Sequence, residues 1–226
     1  MKKMSSANKI KSGRGSGFGS DYDAFIHGRE FNSTGTCSQP IDPITKRQVY
    51  LLSQGEQRLY YILRWNDHVT DIREQYPLDP NVTKTLAKKC GLPHPCKEGE
   101  IMTTDFLVDY DDGHQMAINF KSCKKTFLSS YHDLAYAMVE KLYWGLKGVD
   151  YKNVFGNELN RIYAENIRRV LYYYDLSTVS DPITMIKHLI ATKEITVDME
   201  HDYLDYQAIL EKYNKGELQN ERNKKN

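Results

Sequence analysis

The amino-acid sequence predicts an α/β chain, a mixed sheet flanked by helices and followed by a small, mainly helical C-terminal region, on three observations. Two runs of period-two character, residues 101–110 and 115–121, flank Asp111-Asp112-Gly113 and read as a β-hairpin. Helical patterns stand on both sides of it, over 57–65 and 130–146, and a further short strand follows at 151–155. Beyond Gly156 helical signals dominate.

Taken in order, the elements carry these signals. Lys2, Lys3, Lys9, Lys11 and Arg14 precede the first acid, Asp21, among glycines and serines. This predicts a flexible basic arm over residues 1–20, either lying along phosphates with salt-dependent affinity or serving as a solubilising terminus. Its glycines are not a phosphate-cradling loop, because no strand precedes them and no Lys-Ser/Thr follows. Ser53-Gln54-Gly55-Glu56 then opens a helix whose Leu59, Tyr60, Ile62 and Leu63 share one face. Glu56, in the first turn, has two readings: a capping-box residue, or a carboxylate delivered to the sheet. Residues 71–80 form an extended strand ended by prolines, on which Arg73 and Gln75 read as phosphate contacts or as members of an exposed, salt-bridged strand. A short helix over 83–90 is closed by Gly91. In the helix over 130–146, Leu134, Met138, Leu142 and Tyr143 fall at core spacing.

The C-terminal helices are expected over 158–174, over 182–191 with Asp181 as cap and Pro182 at the first helical position, and over 203–213. Ile195-Thr196-Val197 reads as a short strand. Tyr172-Tyr173-Tyr174 is expected to pack rather than to stack on bases, because Val170 and Leu171 already define an apolar face. Residues 220–226 are expected to be a disordered tail.

The hairpin carries the chemistry. A three-residue loop, a type I turn closed by Gly113 in the left-handed conformation, pairs Tyr110 with His114 and sets Asp105 opposite Asn119, with Lys121 as the diagonal neighbour. A two-residue turn would set Asp105 opposite Phe120 and send Asn119 and Lys121 to the other face. An acid facing an amide and a lysine two residues apart is the skeleton of a metal-dependent nuclease, and this reading requires the three-residue loop. The alternative is an ordinary cross-strand ion pair between Asp105 and Lys121. A second carboxylate from Glu56 would suit Mg²⁺, which takes oxygen ligands and keeps several waters.

Composition bounds the rest. With 226 residues, 40% of them hydrophobic, the chain is long enough for a proper core. No apolar run follows Met1-Lys2-Lys3, which argues against a secretion signal, and no transmembrane run is seen. Cys37, Cys90, Cys96 and Cys123 have no paired spacing and read as reduced cytoplasmic thiols. Cys90, His94 and Cys96 lack a fourth zinc ligand at sensible spacing, so a structural loop is the better account. A net charge of +1 does not by itself announce a nucleic-acid binder.

Several blocks resemble the TnsA endonuclease subunit of heteromeric, Tn7-like transposases: Leu51-Leu52-Ser53-Gln54-Gly55-Glu56, Trp65-Asn66-Asp67-His68-Val69, and Asp71-Ile72-Arg73-Glu74-Gln75-Tyr76-Pro77-Leu78. His94-Pro95, Met102-Thr103-Thr104-Asp105-Phe106-Leu107, the segment 117–121, Glu140-Lys141-Leu142-Tyr143-Trp144 and Glu165-Asn166-Ile167 follow in the same order, as does the Gly-rich entry from Gly13 to Gly19. The resemblance implies a restriction-endonuclease-like core over 21–156 that cuts the 5′ ends of a bacterial transposon, working with a DDE-type transposase that cuts and joins the 3′ ends and with a regulatory ATPase. It implies a reduced winged-helix-like, partner-binding region over 157–219. It matches Glu56 and Asp105 to metal-binding acids, Asn119 to a polar site position and Lys121 to the catalytic lysine, with the Phe120 carbonyl as a further metal ligand. One or two Mg²⁺ ions are implied, with Mn²⁺ able to substitute. Asn119 departs from the pattern by being shorter than Gln, and it is neutral where the wider nuclease class has a carboxylate. A stand-alone defence nuclease and a non-catalytic subunit bridging DNA to partners are the competing classes.

Overall fold

A computed structural model describes residues 4–30 and 37–218 of the chain. It divides into two compact units at Glu158/Leu159.

The first unit is built on a four-stranded mixed sheet in the order β1-β2-β3-β4. Its strands are β1 (Val69–Pro77), β2 (Thr103–Tyr110), β3 (Gln115–Lys121) and β4 (Asp150–Phe155). β1/β2 and β2/β3 are antiparallel, and β3/β4 is parallel. A parallel neighbour requires a crossover, supplied here by helices α4 (Lys124–Ser129) and α5 (Tyr131–Leu146). Helix α2 (Gln54–Arg64) packs against β1 and β3, while α5 packs against α3 (Pro80–Lys89) and β4. Leu78, Leu86, Met102, Leu107, Ala117, Val139, Tyr143 and Trp144 form the core between α3, α5 and the sheet.

The hairpin has the three-residue loop. Tyr110 N–H donates to the His114 carbonyl at 3.0 Å, Gly113 has φ +84°, and Asp109 pairs with Gln115. Pairing continues to Phe106↔Ile118 and stops one residue short of Asp105 and Asn119. The two strands therefore open at the end where the candidate residues lie.

Two buried ion pairs brace the sheet. Arg47 grips Glu74 on β1 at 2.7 and 3.0 Å, and Arg64 of α2 lies 2.8 Å from Asp42, which also accepts from Tyr60 Oη. Removing one partner of such a pair strands a buried charge. The Phe120 ring lies in a slot made by two glycines: a β carbon on Gly55 would overlap the ring, and one on Gly156 would approach it to 2.8 Å.

Several expectations differ from the structure. Residues 1–20 were expected to be a flexible arm, but Ser6–Lys11 forms a short helix, α1, whose Lys9 is buried and ion-paired with Glu30, as is Arg14. Their charge is satisfied internally; Lys2 and Lys3 lie outside the described residues. The strand ends at Pro77, and Asp79-Pro80 opens α3: the Asp79 side chain accepts from Asn81 and Val82 N–H with Pro80 in the first turn. On α5 the core face is Ala135, Ala137, Val139, Glu140, Tyr143 and Trp144, whereas Leu134 and Met138 are 39% and 48% exposed. Apolar residues on every side of this helix leave periodicity unable to choose a face.

The second unit comprises α6 (Arg161–Leu171), α7 (Pro182–Ala191) and α8 (Tyr206–Asn214), with α7 packed against both others. Asp181 caps α7 in a capping box with Thr184. Ile195 is a buried single-bridge residue and residues 195–197 do not form a strand. α6 stops before the tyrosine run, leaving Tyr172 71% exposed and edge-on to Tyr173, so packing accounts for less of that run than expected. The tail expected over 220–226 lies outside the described residues.

Gly55→Ala is expected to push α2 off the Phe120 ring and lower stability by about 1–3 kcal/mol, read as a fall in the urea midpoint. An unchanged midpoint would show that the slot is not tightly filled.

Candidate active site

Glu56 reaches the sheet because Ser53 starts α2 there. The Ser53 Oγ accepts from Glu56 N–H at 3.1 Å and donates to Glu56 Oε1 at 2.8 Å, while Leu52 N–H donates to Oε2 at 3.1 Å. Capping and delivery therefore coexist in one side chain: the contacts that start the helix also aim its carboxylate. Glu56 Oε2 and Asp105 Oδ1 each lie 3.4 Å from the same atom, Gln75 Nε2. Asp105 Oδ2 accepts from Phe120 N–H at 2.7 Å, a donor that the opened hairpin ladder leaves available.

Two carboxylates sharing one neutral donor disfavour their charged forms. Burial, then the neighbouring Asp105 charge, pushes Glu56 up to about 7. Burial also raises Asp105, opposed by the Phe120 N–H, the Lys121 charge and the Gln75 amide. Lys121 does not form the cross-strand pair. Its Nζ lies 3.2 Å from Asp133 Oδ1 and 5.6 Å from the centre of the Tyr136 ring, both on α5.

Asn119 is 2% exposed and is engaged from behind. Its Nδ2 donates to Glu140 Oε2 at 2.7 Å and to Tyr151 Oη at 3.2 Å. Glu140, fully buried, also accepts from Thr104 Oγ1 at 2.8 Å and Tyr151 Oη at 3.2 Å, and Trp144 Nε1 supports Thr104 at 2.8 Å. Burial, then the Asp105 charge, pushes Glu140 up to about 8. The structure thus brings Glu56 and Asp105 together, sets Phe120 beside them through its N–H, and ties Asn119 and Lys121 to α5.

Of the two readings of Arg73, the structure has the salt-bridged strand, though buried rather than exposed: Arg73 pairs with Asp109 at 2.6 Å and lies over the Phe18 and Tyr76 rings. Gln75 is buried between the two acids and is neither an exposed strand residue nor free to contact phosphate. Sequence reasoning gave no role to Glu140, although an acid in an apolar helix was a signal that it had to be paired. His94 spends both ring nitrogens, on Thr83 Oγ1 and the Cys96 carbonyl, and Cys90 is exposed. Among the described residues no group of three His, Cys, Asp or Glu side chains could hold a metal.

The raised carboxylates set a pH dependence. Folded-state values of about 7 for Glu56 and about 8 for Glu140 exceed the ordinary 4.5, so the folded chain binds more protons than the unfolded one between these values. Their contribution to stability is full below about pH 4.5 and is lost as pH rises through about 7 and 8. In chelator, the urea midpoint is expected to fall between pH 5 and pH 8.5, and Glu56→Gln to flatten part of that fall. A midpoint flat across this range in the unsubstituted chain would contradict the assigned burial.

Residues 66–155 match the family described as TnsA-like endonuclease N terminal, a span that contains all four strands together with Asp105, Asn119 and Lys121 but not Glu56. The chain is also similar to the transposon Tn7 transposition protein TnsA of Escherichia coli, with 36% identity over 165 residues, which are 71% of this chain and 60% of that protein. The family match falls on the mixed sheet whose opened hairpin presents Asp105, and with the similarity over 71% of the chain it places this chain in the TnsA-like family.

Proposed function

We propose that this chain is the DNA endonuclease subunit of a transposase, hydrolysing a phosphodiester bond at the 5′ ends of a transposon. The observation that carries the reading is the convergence of Glu56 and Asp105 on one neutral donor, beside a strand that bears Lys121. The donor set fits a hard divalent cation: two carboxylates held side by side without a cationic side chain between them attract Mg²⁺ or Mn²⁺. Glu56 and Asp105 would hold it, with the Phe120 carbonyl and Asn119 Oδ1 as further oxygen ligands and water completing the shell. When bound, one or two such ions would polarise the phosphate and lower the pKa of a bound water.

The residues do the rest. Lys121, steadied by Asp133 and the Tyr136 ring, orients the attacking water, accepts its proton, or offsets charge developing on the phosphate oxygens. The water oxygen bonds to phosphorus as the P–O3′ bond breaks, leaving a 5′-phosphate and a 3′-hydroxyl. Lysine suits this position better than arginine, which stays charged and makes a poor base. Double-stranded transposon ends, a DDE-type transposase and a regulatory ATPase are the partners that this reading requires, in a bacterial cytoplasm. Among the described residues no helix is long and apolar enough to cross a membrane.

A non-catalytic bridging role is the second reading, favoured by one observation: Asn119 is neutral and its amide is already engaged by Glu140.

Calorimetric titration of Mn²⁺ is expected to show binding that Asp105→Ala abolishes and Lys121→Ala retains. In the assembled transposase, Lys121→Ala is expected to cut 5′-end cleavage by about 10²–10⁴-fold. Unchanged end cleavage with Asp105→Ala would establish the bridging role. Robust Mg²⁺-dependent cutting of random duplex by the chain alone would count against a transposase subunit.

A further inference from the structure

Gln75 lies within β1, two residues before its end, yet its φ is +50°, in the left-handed region that residues with a β carbon rarely adopt. Such a conformation persists only where its surroundings over-determine it. Here they do. The preceding residue, Glu74, is clamped by Arg47 at 2.7 and 3.0 Å and by Tyr50 N–H at 2.8 Å, and its carbonyl accepts from Tyr22 Oη at 2.8 Å. Just past the end of the strand, Leu78 N–H donates to the Met102 carbonyl at 2.8 Å.

The outcome of that strain is the position of one amide. Gln75 is 3% exposed, and its Nε2 stands at the same 3.4 Å from Glu56 Oε2 and from Asp105 Oδ1. Its Oε1 accepts from Thr103 Oγ1 at 3.3 Å, and the N–H₂ end faces the carboxylate oxygens, which are acceptors when ionised. Both N–H···O distances exceed the usual 2.9–3.0 Å. The nitrogen is therefore centred between the two carboxylates rather than drawn close to one.

We propose that Gln75 is an internal stand-in for the divalent cation, its amide bridging Glu56 and Asp105 when no metal is bound and turning aside when a metal takes the same two oxygens. The inference rests on the reading of these acids as metal ligands. An N–H₂ group presents the positive end of its dipole, so it partly offsets two converging carboxylates. For the same reason it opposes a cation on those oxygens, and the two occupants exclude each other. A neutral amide compensates two charges incompletely. The device would keep the acids apposed without metal while taxing metal affinity, because only the fraction of molecules with Gln75 turned away is competent to bind.

The test is calorimetric titration of Mn²⁺ into the full chain and into Gln75→Met, with thermal unfolding of both in chelator and at saturating Mn²⁺. Methionine keeps the length of the side chain and removes the amide. Gln75→Met is expected to unfold at lower temperature in chelator, to close that gap at saturating Mn²⁺, and to bind Mn²⁺ about three- to tenfold tighter. Unchanged or weaker binding overturns the proposal, and weaker binding would make Gln75 a supporter of the metal instead of its rival. A second measurement covers poor folding: the stability lost on Gln75→Met should shrink in an Asp105→Asn background, where the facing charge is gone, and equal losses in both backgrounds also overturn it. Mn²⁺ binding that survives Asp105→Ala would instead remove the nuclease reading itself, and the stand-in with it.

Discussion

Glu56 and Asp105 come from a helix and a strand far apart in sequence, and they meet where only a neutral amide lies between them. Like charges at short range in a poorly solvated place repel far more strongly than in water. The fold must therefore hold both acids in place, and each is anchored by a backbone N–H: Leu52 for Glu56 and Phe120 for Asp105. The elements carrying them are stiffened in turn by buried ion pairs, Arg64–Asp42 on the α2 side and Arg47–Glu74 along β1. Much of the first unit's buried charge serves this arrangement, not net stability, because buried pairs seldom improve on apolar packing.

The hairpin register turns that rigidity into a site. A loop one residue shorter would rotate Asn119 and Lys121 to the opposite face. The three-residue loop fixes Asp105 and Asn119 at corresponding positions, and the ladder ends before it reaches them. Phe120 N–H, released from that ladder, becomes a ligand for Asp105. The Phe120 ring needs the slot between Gly55 and Gly156, so the residue just before Glu56 has no side chain because the residue between Asn119 and Lys121 has a large one.

What could be read from the sequence followed the strength of the local rule. The hairpin was legible, since period-two runs around Asp-Asp-Gly admit few turns and the nuclease reading selected one. The start of α2 was legible because Ser53 and Glu56 form a recognised cap, although the cap pattern alone could not say that the same carboxylate also faces Asp105. Asp79-Pro80 was misread because proline both ends strands and begins helices. Lys9 was misread, and Arg73 was left between two readings, because a charge in sequence does not reveal its partner: Glu30 and Asp109 lie across the fold. The left-handed conformation of Gln75 has no sequence signal at all, since it is imposed by tertiary neighbours.

Helix α5 explains why a neutral Asn119 is not by itself a mark of decay. The helix holds both residues that flank Phe120 on β3, Lys121 through Asp133 and Asn119 through Glu140. An aspartate at 119 would place a second carboxylate against Glu140, with Asp105 already raising both Glu56 and Glu140. An amide there donates to Glu140 and leaves its Oδ1 as the end not engaged by Glu140 or Tyr151. A carboxylate thus stands one layer behind the strand position, hydrogen-bonded to its amide, and Asn119 and Glu140 are best understood as a single unit.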